Sequence, residues 1–259
     1  MRDALDVTLD GFLGGKLTLA QPKRGHRVGS DAALLAAANG ASAERIVDVG
    51  AGVGAVGLSI ALRWPEARIS LVEIEPDLAA LARDNAARNR LDDRTMTFAC
   101  DVTDGKARRA AGLVDASADL VVSNPPYYEE PRAQASPDLG RARAHLLPRG
   151  TSKEAALMKW LRACIALLKP RGRLILIHRP DALTEILAAF DGRLGALALL
   201  PVYPKAGTAA HRVLISGVLG ARAPLKLAPG LVLHDASGAF TREADAIHRG
   251  EAMLAWDAR

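Results

Sequence analysis

Short apolar runs alternate with longer segments of helical length from Arg45 onward. The apolar runs have the length of buried strands and lie at 45–49, 68–73, 95–99, 118–122, 173–178 and 213–217. The helix-length segments lie at 55–64, 76–90, 151–168 and 181–190. Strands joined in this way pair in parallel through right-handed crossovers. The pattern therefore predicts an α/β fold: a doubly wound, mostly parallel sheet with helices on both faces.

Start and stop signals support these helices. Pro65 ends the first, and Pro76 begins the second, because the first helical turn does not need the N–H that proline lacks. We expect Thr151 or Ser152 to cap the third helix and residues 169–172 to end it. A long loop rich in proline and arginine precedes that helix.

The composition excludes several classes of protein. Of the 259 residues 49% are hydrophobic and 24% charged, which is enough apolar content for a packed core. No apolar stretch approaches the ~20 residues of a membrane span, and the start of the chain lacks the pattern of a secretory signal. Cys100 and Cys164 form no C-x-x-C unit, so neither a disulfide framework nor a cysteine zinc site is expected. We therefore expect a soluble cytoplasmic protein.

A glycine-rich loop follows the first strand, Asp48-Val-Gly-Ala-Gly-Val-Gly54. Glycines between a strand and a helix allow a tight turn and let a ligand approach the helix N-terminus. Glu73 ends the next strand, where a carboxylate can accept hydrogen bonds from both ribose hydroxyls. The acid before the loop favours the cationic amino group of S-adenosylmethionine over a pyrophosphate. Because the loop also satisfies the G-x-G-x-x-A pattern, a dinucleotide stays an alternative, as does a helix-capping loop without a ligand.

A hexapeptide after the fourth strand carries the candidate chemistry, Ser-Asn-Pro-Pro-Tyr-Tyr at 123–128. The side-chain carbonyl of Asn124 and the backbone carbonyl of Pro125 can each accept one N–H of a planar amino group. They would thereby turn its lone pair toward an incoming methyl group. The prolines stiffen the turn, and Tyr127 can stack on a flat substrate. The alternative is an ordinary tight turn after a strand.

Together with Gln21–Asp31 and Leu176–Pro180, these motifs give the sequence a family resemblance. It resembles class I S-adenosylmethionine-dependent amino-methyltransferases, and specifically the tRNA(Val) adenine N6-methyltransferases, over roughly residues 10 to 250. The resemblance implies a Rossmann-like sheet of seven strands and methylation of an adenine next to the anticodon. It also implies an N-terminal extension over the cofactor (1–44), a methyltransferase domain (45–235) and a C-terminal extension (236–259).

The site residues expected from the motifs and the resemblance form three sets. The catalytic set is Asn124, Pro125 and Tyr127. The cofactor set is Ser30, Asp31, Asp48, Gly50, Gly52, Gly54, Glu73, Ile74, Asp101, Val102 and Asn124. The substrate set is Lys23, Arg24, Arg27, Tyr128, Arg141, Arg143, His145 and Arg149. Two assignments have structural alternatives: Ser30 and Asp31 could cap a helix from Ala32, and Asp101 could be a turn residue. No metal is expected, since neither His145 nor His178 has a second ligand at a suitable spacing.

Charge patterning indicates an RNA partner. The formal net charge is +5. The stretch from residue 141 to 180 contains ten Lys and Arg residues and a single acidic residue. Residues 192–234 contain five Lys and Arg and no acid, and 23–27 form a third basic cluster. Phosphate backbones favour such surfaces, although any single arginine can be merely solubilising. The sequence leaves the oligomeric state open.

Three other functions remain compatible with parts of the pattern. A protein-glutamine N5-methyltransferase uses the same motif, but those enzymes usually carry a larger helical domain before the first strand than 44 residues allow. Guanine N2-methyltransferases of rRNA often contain a second, degenerate copy that this length cannot hold. A nucleotide-binding module without catalysis could keep the glycine loop, but would not need Asn124 and Tyr127 together.

Overall fold

The computed structural model describes residues 6–25, 27–40, 43–126 and 152–254. Within these ranges the strands are β1 (Val7–Phe12), β2 (Leu17–Pro22), β3 (Arg45–Val49), β4 (Arg68–Glu73), β5 (Thr95–Ala99), β6 (Ala118–Ser123), β7 (Leu168–His178), β8 (Leu194–Lys205), β9 (Arg212–Leu219), β10 (Lys226–Leu227) and β11 (Leu231–His234). The α-helices are α1 (Ser30–Ala37), α2 (Ala55–Arg63), α3 (Pro76–Arg88), α4 (Gly105–Ala110), α5 (Lys153–Leu167), α6 (Leu183–Phe190) and α7 (Arg242–His248). A short 3₁₀ turn, Pro180–Ala182, precedes α6.

The central sheet has the order β10-β8-β9-β7-β6-β3-β4-β5, and β11 pairs with the outer side of β8. Strands β3 to β7 are parallel, whereas β9 runs antiparallel between β7 and β8. The doubly wound α/β prediction is confirmed, but the described residues form nine strands in this sheet instead of seven. The two short strands β10 and β11 account for the difference, because they pair the edge of β8 that would otherwise be open.

Local sequence signals located the strands of the central sheet well. Strands β3, β4 and β5 have their predicted bounds, and β6 is one residue longer, so that it includes Ser123. Ser152 is the N-cap of α5, as expected, and its hydroxyl accepts a hydrogen bond from the N–H of Ala155. The helix ends at Leu167, one residue before its expected end, but β7 begins at Leu168 instead of Arg173, so residues 169–172 belong to the strand.

Several elements were not predicted. Helix α4 is short and polar, so it shows little apolar periodicity. Strand β8 contains two prolines, at 201 and 204. Because proline lacks the N–H that a β ladder needs, the sequence pattern did not indicate a strand there. The first residues form a two-stranded hairpin, β1 with β2, that is separate from the central sheet.

Two hydrophobic clusters cover the two faces of the sheet. One packs α1, α2 and α3 on the sheet and includes the fully buried Leu34 and Leu58. The other packs α5 and α6 on the opposite face and includes Leu161 and Phe190. Because α1 lies inside the first cluster, residues before Arg45 contribute to the core. The domain boundaries at 44/45 and 235/236 stay a prediction.

The parallel strands bring their carboxyl ends to one edge of the sheet, here called the carboxyl edge. Val49, Glu73, Ala99, Ser123 and His178 end their strands there. Ligands of open α/β sheets bind in the crevice outside this edge. Among the helices of the described ranges, none is both long and apolar enough to cross a membrane.

Candidate active site

The glycine loop leaves β3 and is anchored to the neighbouring strand. The N–H groups of Gly50 and Ala51 both donate to the carbonyl of Val72 in β4, at 2.9 and 3.0 Å. Gly50 has φ +76°, and Gly54, which precedes α2 as its N-cap, has φ +89°. Side chains with a Cβ disfavour these left-handed conformations, so glycine permits the turn. The loop thus opens the N-terminus of α2 toward the carboxyl edge.

Asp48 holds the start of α2. Its Oδ2 accepts a hydrogen bond from the N–H of Gly57 at 2.8 Å, in the first turn of the helix, and the residue is 2% exposed. Burial raises the pKa of this carboxyl to about 7; the Gly57 hydrogen bond opposes that shift and the nearby Glu73 charge adds to it. Because the side chain is enclosed, its observed role is to cap α2. Its expected place beside a cofactor amino group stays a prediction.

Glu73 joins the glycine loop to the end of β4. Its Oε2 accepts from the N–H of Gly52 at 2.8 Å, and its Oε1 accepts from the N–H of Glu75 at 3.0 Å. Burial raises the pKa of this carboxyl, and the backbone hydrogen bonds partly offset the shift. The N–H of Ile74 is a third backbone donor to this carboxylate, which has about four lone-pair positions, so one acceptor position remains for a further donor. The neighbouring Ile74 is 40% exposed and offers an apolar surface beside the acid.

Asp101 forms a turn at the end of β5. Its Oδ1 accepts hydrogen bonds from both the N–H and the hydroxyl of Thr103, at 2.8 and 2.7 Å. This is the turn role that the sequence also allowed. The side chain of Val102 is buried in the core, and its carbonyl accepts a hydrogen bond from Arg108.

The motif at 123–128 begins beside the glycine loop. Ser123 pairs with Val49 in the sheet register, and its hydroxyl donates to the Val49 carbonyl at 2.9 Å. Asn124 is half-buried and Pro125 is buried. The fold therefore brings the start of this motif next to the glycine loop. Tyr127 and Tyr128 lie outside the described residues.

Trp160 of α5 was not singled out from the sequence, yet it contacts both motifs. Its indole Nε1–H donates to the Ser123 hydroxyl at 3.0 Å. A Cβ added to Gly50 would lie 2.9 Å from Cζ2 of the Trp160 ring. The available signal was helical spacing, since Trp160 and Cys164 are four residues apart and share one face of α5.

Ser30 and Asp31 lie at the start of α1 but do not cap it. Gly29 is the N-cap, and no side chain makes a capping hydrogen bond there, so the N-cap alternative is wrong. Instead, Ser30 Oγ is 2.9 Å from His248 Nε2, and Asp31 Oδ2 accepts from Arg212 Nε at 2.9 Å. These contacts join α1 to α7 and to the first residue of β9. The expected position of Ser30 and Asp31 over a cofactor stays a prediction.

The expected substrate residues of the N-terminal cluster lie near the hairpin. Lys23 pairs with Asp6 at 2.7 Å, Arg27 pairs with Asp10 at 2.8 Å, and Arg24 is exposed. Exposed ion pairs of this kind contribute only about 0–1 kcal/mol to stability, so these cations can exchange the carboxylate for a phosphate at little cost. Arg141, Arg143, His145 and Arg149 lie outside the described residues.

Comparison with known proteins identifies the family. A sequence profile described as "Methyltransferase small domain" matches residues 27–151. The tRNA1(Val) (adenine(37)-N6)-methyltransferase of Aeromonas hydrophila is 33% identical over 219 residues, which are 83% of this chain and 85% of that protein. The chain belongs to this family of methyltransferases. The enzyme of the same name from Porphyromonas gingivalis is 34% identical over 165 residues, which span 62% of this methyltransferase and only 61% of that relative.

Solved structures agree with this membership. The crystal structure of a protein described as a predicted O-methyltransferase, from Agrobacterium tumefaciens, superposes on the methyltransferase with a TM-score of 0.71. The two chains are 32% identical, and the match covers 86% of this chain and 98% of the other. Family membership favours methyl transfer over dinucleotide binding at the glycine loop. Within the described ranges, no three His, Cys, Asp or Glu side chains are grouped so as to hold a metal ion.

Proposed function

We propose that this methyltransferase transfers a methyl group from S-adenosylmethionine to the exocyclic N6 amine of an adenine in RNA, in tRNA(Val) next to the anticodon. The observation that carries the proposal is the position of Asn124. It directly follows β6 at the carboxyl edge, and the hydrogen bond from Ser123 to Val49 fixes it beside the glycine loop. An amino-group acceptor thus lies next to a nucleoside-binding loop.

The residues present fit S-adenosylmethionine. A Cβ added to Gly52 would have no neighbour within 4 Å, so the backbone of the loop is open to a ligand. Glu73 keeps an acceptor position for a ribose hydroxyl, and the half-exposed Ile74 offers an apolar contact for an adenine ring. When bound, this cofactor supplies a methyl group that its sulfonium makes reactive. Gly50, Gly52, Gly54, Glu73 and Ile74 would hold it.

The residues of the motif would orient the amine. The Asn124 side-chain carbonyl and the Pro125 backbone carbonyl would each accept one N–H of the planar amino group. Holding both N–H bonds favours a tetrahedral nitrogen, whose lone pair then points at the methyl group. After transfer the methylated nitrogen carries a positive charge. It loses one of its two protons to water, which leaves the neutral N6-methyl amine. Tyr127 and Tyr128 would stack on the target base, as in enzymes that act on extruded bases.

An amino acceptor fits this site better than a hydroxyl acceptor. The description of the Agrobacterium tumefaciens protein names an O-methyltransferase. Two carbonyl acceptors suit an amine, which has two N–H donors to place, whereas a hydroxyl has one. The names of the Aeromonas and Porphyromonas relatives favour tRNA over a protein glutamine or an rRNA guanine.

The test is methyl transfer to isolated tRNA. With tritiated S-adenosylmethionine, we expect label in tRNA and none in ribosomal RNA or protein from a strain lacking the enzyme. Asn124→Ala should lower the transfer rate by about 100-fold or more, the usual cost of losing one preorganised transition-state hydrogen bond. Its cofactor Kd, measured by calorimetry, should stay within a few-fold of wild type, because the glycine loop and Glu73 remain.

Asn89→Ala is the matched control, since Asn89 directly follows α3 as its C-cap and bonds to the hairpin. It should transfer methyl groups at the wild-type rate. Label confined to the protein fraction would refute the proposed function, and an active Asn124→Ala variant would refute the assigned role of Asn124.

A further inference from the structure

We infer that Trp160 is a positioning residue, which sets the geometry of methyl transfer by holding the cofactor loop and the catalytic motif in fixed relation. The inference rests on the proposed function. Gly50 and Ser123 lie 73 residues apart in the sequence, and Trp160 follows Ser123 by 37 residues. One indole ring contacts both of them.

The first contact is with the glycine loop. A Cβ built on Gly50 would lie 2.9 Å from Cζ2 and 3.1 Å from Cη2 of Trp160. The six-membered part of the indole therefore packs directly on the loop backbone, in space that any other residue at position 50 would fill. Gly50 is also the residue at which the chain turns away from β3 with φ +76°. The ring thus limits how far this turn can move.

The second contact is with the residue that precedes Asn124. The Trp160 N–H donates to the Ser123 hydroxyl at 3.0 Å, and that hydroxyl donates its only proton to the Val49 carbonyl at 2.9 Å. Ser123 is 0% exposed, so water does not compete for these bonds. With its proton committed to Val49, the hydroxyl presents a lone pair to the indole. The orientation of the first motif residue is therefore defined from both sides.

A second side chain on the same face of α5 restricts this serine further. Cys164 is 0% exposed, one helical turn after Trp160. Burial raises the pKa of the Cys164 thiol to about 12, and the thiol lies beside the Ser123 hydroxyl. At neutral pH the thiol is protonated and acts as a small packing group. The Ser123 hydroxyl thus lies between β3 and one face of α5.

The consequence is geometric. Rates of group transfer fall steeply when reacting atoms are misplaced by as little as ~1 Å. A leucine or phenylalanine could fill the space over Gly50, but only the indole also donates to Ser123. Trp160 is half-buried, not part of the deepest core, which agrees with a position at the rim of the site. It acts through Ser123 and Gly50 and needs no contact with the substrate.

Three variants of the full-length protein test this inference. Trp160→Phe keeps an aromatic ring and removes the N–H donor, and Ser123→Ala removes the acceptor. Each should lower kcat on tRNA at saturating cofactor by about three- to ten-fold, the range expected for one neutral hydrogen bond. Cofactor Kd by calorimetry should change by less than about three-fold, because Glu73 and the glycines of the loop, which would hold the cofactor, are unchanged. Ser123→Ala also removes the bond to Val49, so the double variant should be no slower than Ser123→Ala alone, since Trp160→Phe removes only a bond that is already lost there.

Trp64→Phe is the control for a purely structural effect. Trp64 ends α2 and packs against the other hydrophobic cluster. This variant should lower the melting temperature and leave kcat unchanged. In addition, adding S-adenosylhomocysteine should change the tryptophan fluorescence of the wild type and of Trp64→Phe, but not that of Trp160→Phe.

The contrary outcomes are distinct. A wild-type kcat in Trp160→Phe, losses that multiply in the double variant, or a kcat loss of equal size in Trp64→Phe would each overturn the positioning role. A fluorescence change that persists in Trp160→Phe would overturn the contact with the cofactor loop. A wild-type protein that transfers no methyl group to RNA would refute the proposed function and this inference together.

Discussion

At the scale of single residues, Asp48 is an acid kept out of water. It is 2% exposed, and the hydrogen bond that it accepts from Gly57 does not fully offset the cost of burying a charge. The result is a pKa of about 7, compared with an ordinary value of 3.8. A helix N-terminus is the most favourable place for such a charge, since α2 directs its free N–H groups there.

This shifted pKa gives a pH-dependent stability of definite sign. Between about pH 4 and pH 7 the folded protein keeps the Asp48 proton that the unfolded chain has lost. Its contribution to the free energy of unfolding therefore falls as the pH rises through this window and stays low above it. Asp48→Asn keeps an acceptor for Gly57 without the charge. The melting temperature of the variant relative to wild type should rise between pH 5 and pH 8, by roughly 2–4 °C per kcal/mol.

Thermal unfolding of both proteins at the two pH values checks this. A difference in melting temperature that is equal at pH 5 and pH 8 would mean that Asp48 does not titrate in this range. Asp101, which is half-exposed and lies in a turn, serves as the control position for an Asp→Asn change.

At the scale of elements, two side-chain amides fasten the N-terminal hairpin to α3. Asn85 bonds to both the N–H and the carbonyl of Ala20 in β2, at 2.7 and 2.9 Å, and Asn89 does the same for Thr18. Asn85 and Asn89 are four residues apart, so their side chains lie on the same face of the helix. Thr18 and Ala20 are two residues apart, so their backbone groups lie along the same edge of β2. Asn85 also donates to the carbonyl of Val53, at 3.0 Å, so it links the hairpin to the glycine loop.

Removal of these amides should have unequal effects. Asn85 is 0% exposed, so Asn85→Ala leaves buried backbone groups unpaired and should cost about 1–3 kcal/mol for each group that water cannot reach. The Thr18 bonds are exposed, so Asn89→Ala should cost less, because water replaces the amide. Urea unfolding of both variants measures the difference. Equal losses would show that burial does not decide the strength of this attachment.

At the scale of the whole molecule, the fold separates basic residues that are close in sequence. The stretch 192–234 looks like one basic region, but β8 and β9 are antiparallel. Lys205 ends β8 at the carboxyl edge, next to His234 of β11. Arg193 and Arg222 flank the other ends of these strands, at the opposite edge of the sheet. Lys205, and also Arg212 at the start of β9, share an edge with Asn124, whereas Arg193 and Arg222 do not.

This separation makes a matched pair of charge reversals possible. Lys205→Glu and Arg222→Glu change the net charge equally, and both positions are exposed. Lys205→Glu should weaken tRNA binding several-fold and lower the dependence of log Kd on log salt by about one unit, whereas Arg222→Glu should do neither. Filter binding of tRNA at two salt concentrations measures both quantities. Equal weakening by the two variants would show that general charge, and not the carboxyl edge, holds the RNA.

The sequence by itself determined the strands β3, β4 and β5 and the two motifs. The bounds of β3, β4 and β5, the turn at Gly50 and the acid at Glu73 follow from short-range preferences: apolar runs, left-handed glycines and the end of a strand. Such preferences act over a few residues, so they can be recognised in the order of the chain. The family motif after β6 was recognisable for the same reason.

Only the tertiary structure decided which side chains meet. Trp160 bonds to a serine 37 residues away, Asn85 to a backbone 65 residues away, and Asp31 to an arginine 181 residues away. No local preference encodes these contacts, because each depends on the order of strands in the sheet and on the face that a helix turns inward. The same order places Lys205 and Arg222 at opposite edges. The sequence specified the glycine loop and the motif after β6, and close packing of distant segments set their relative position.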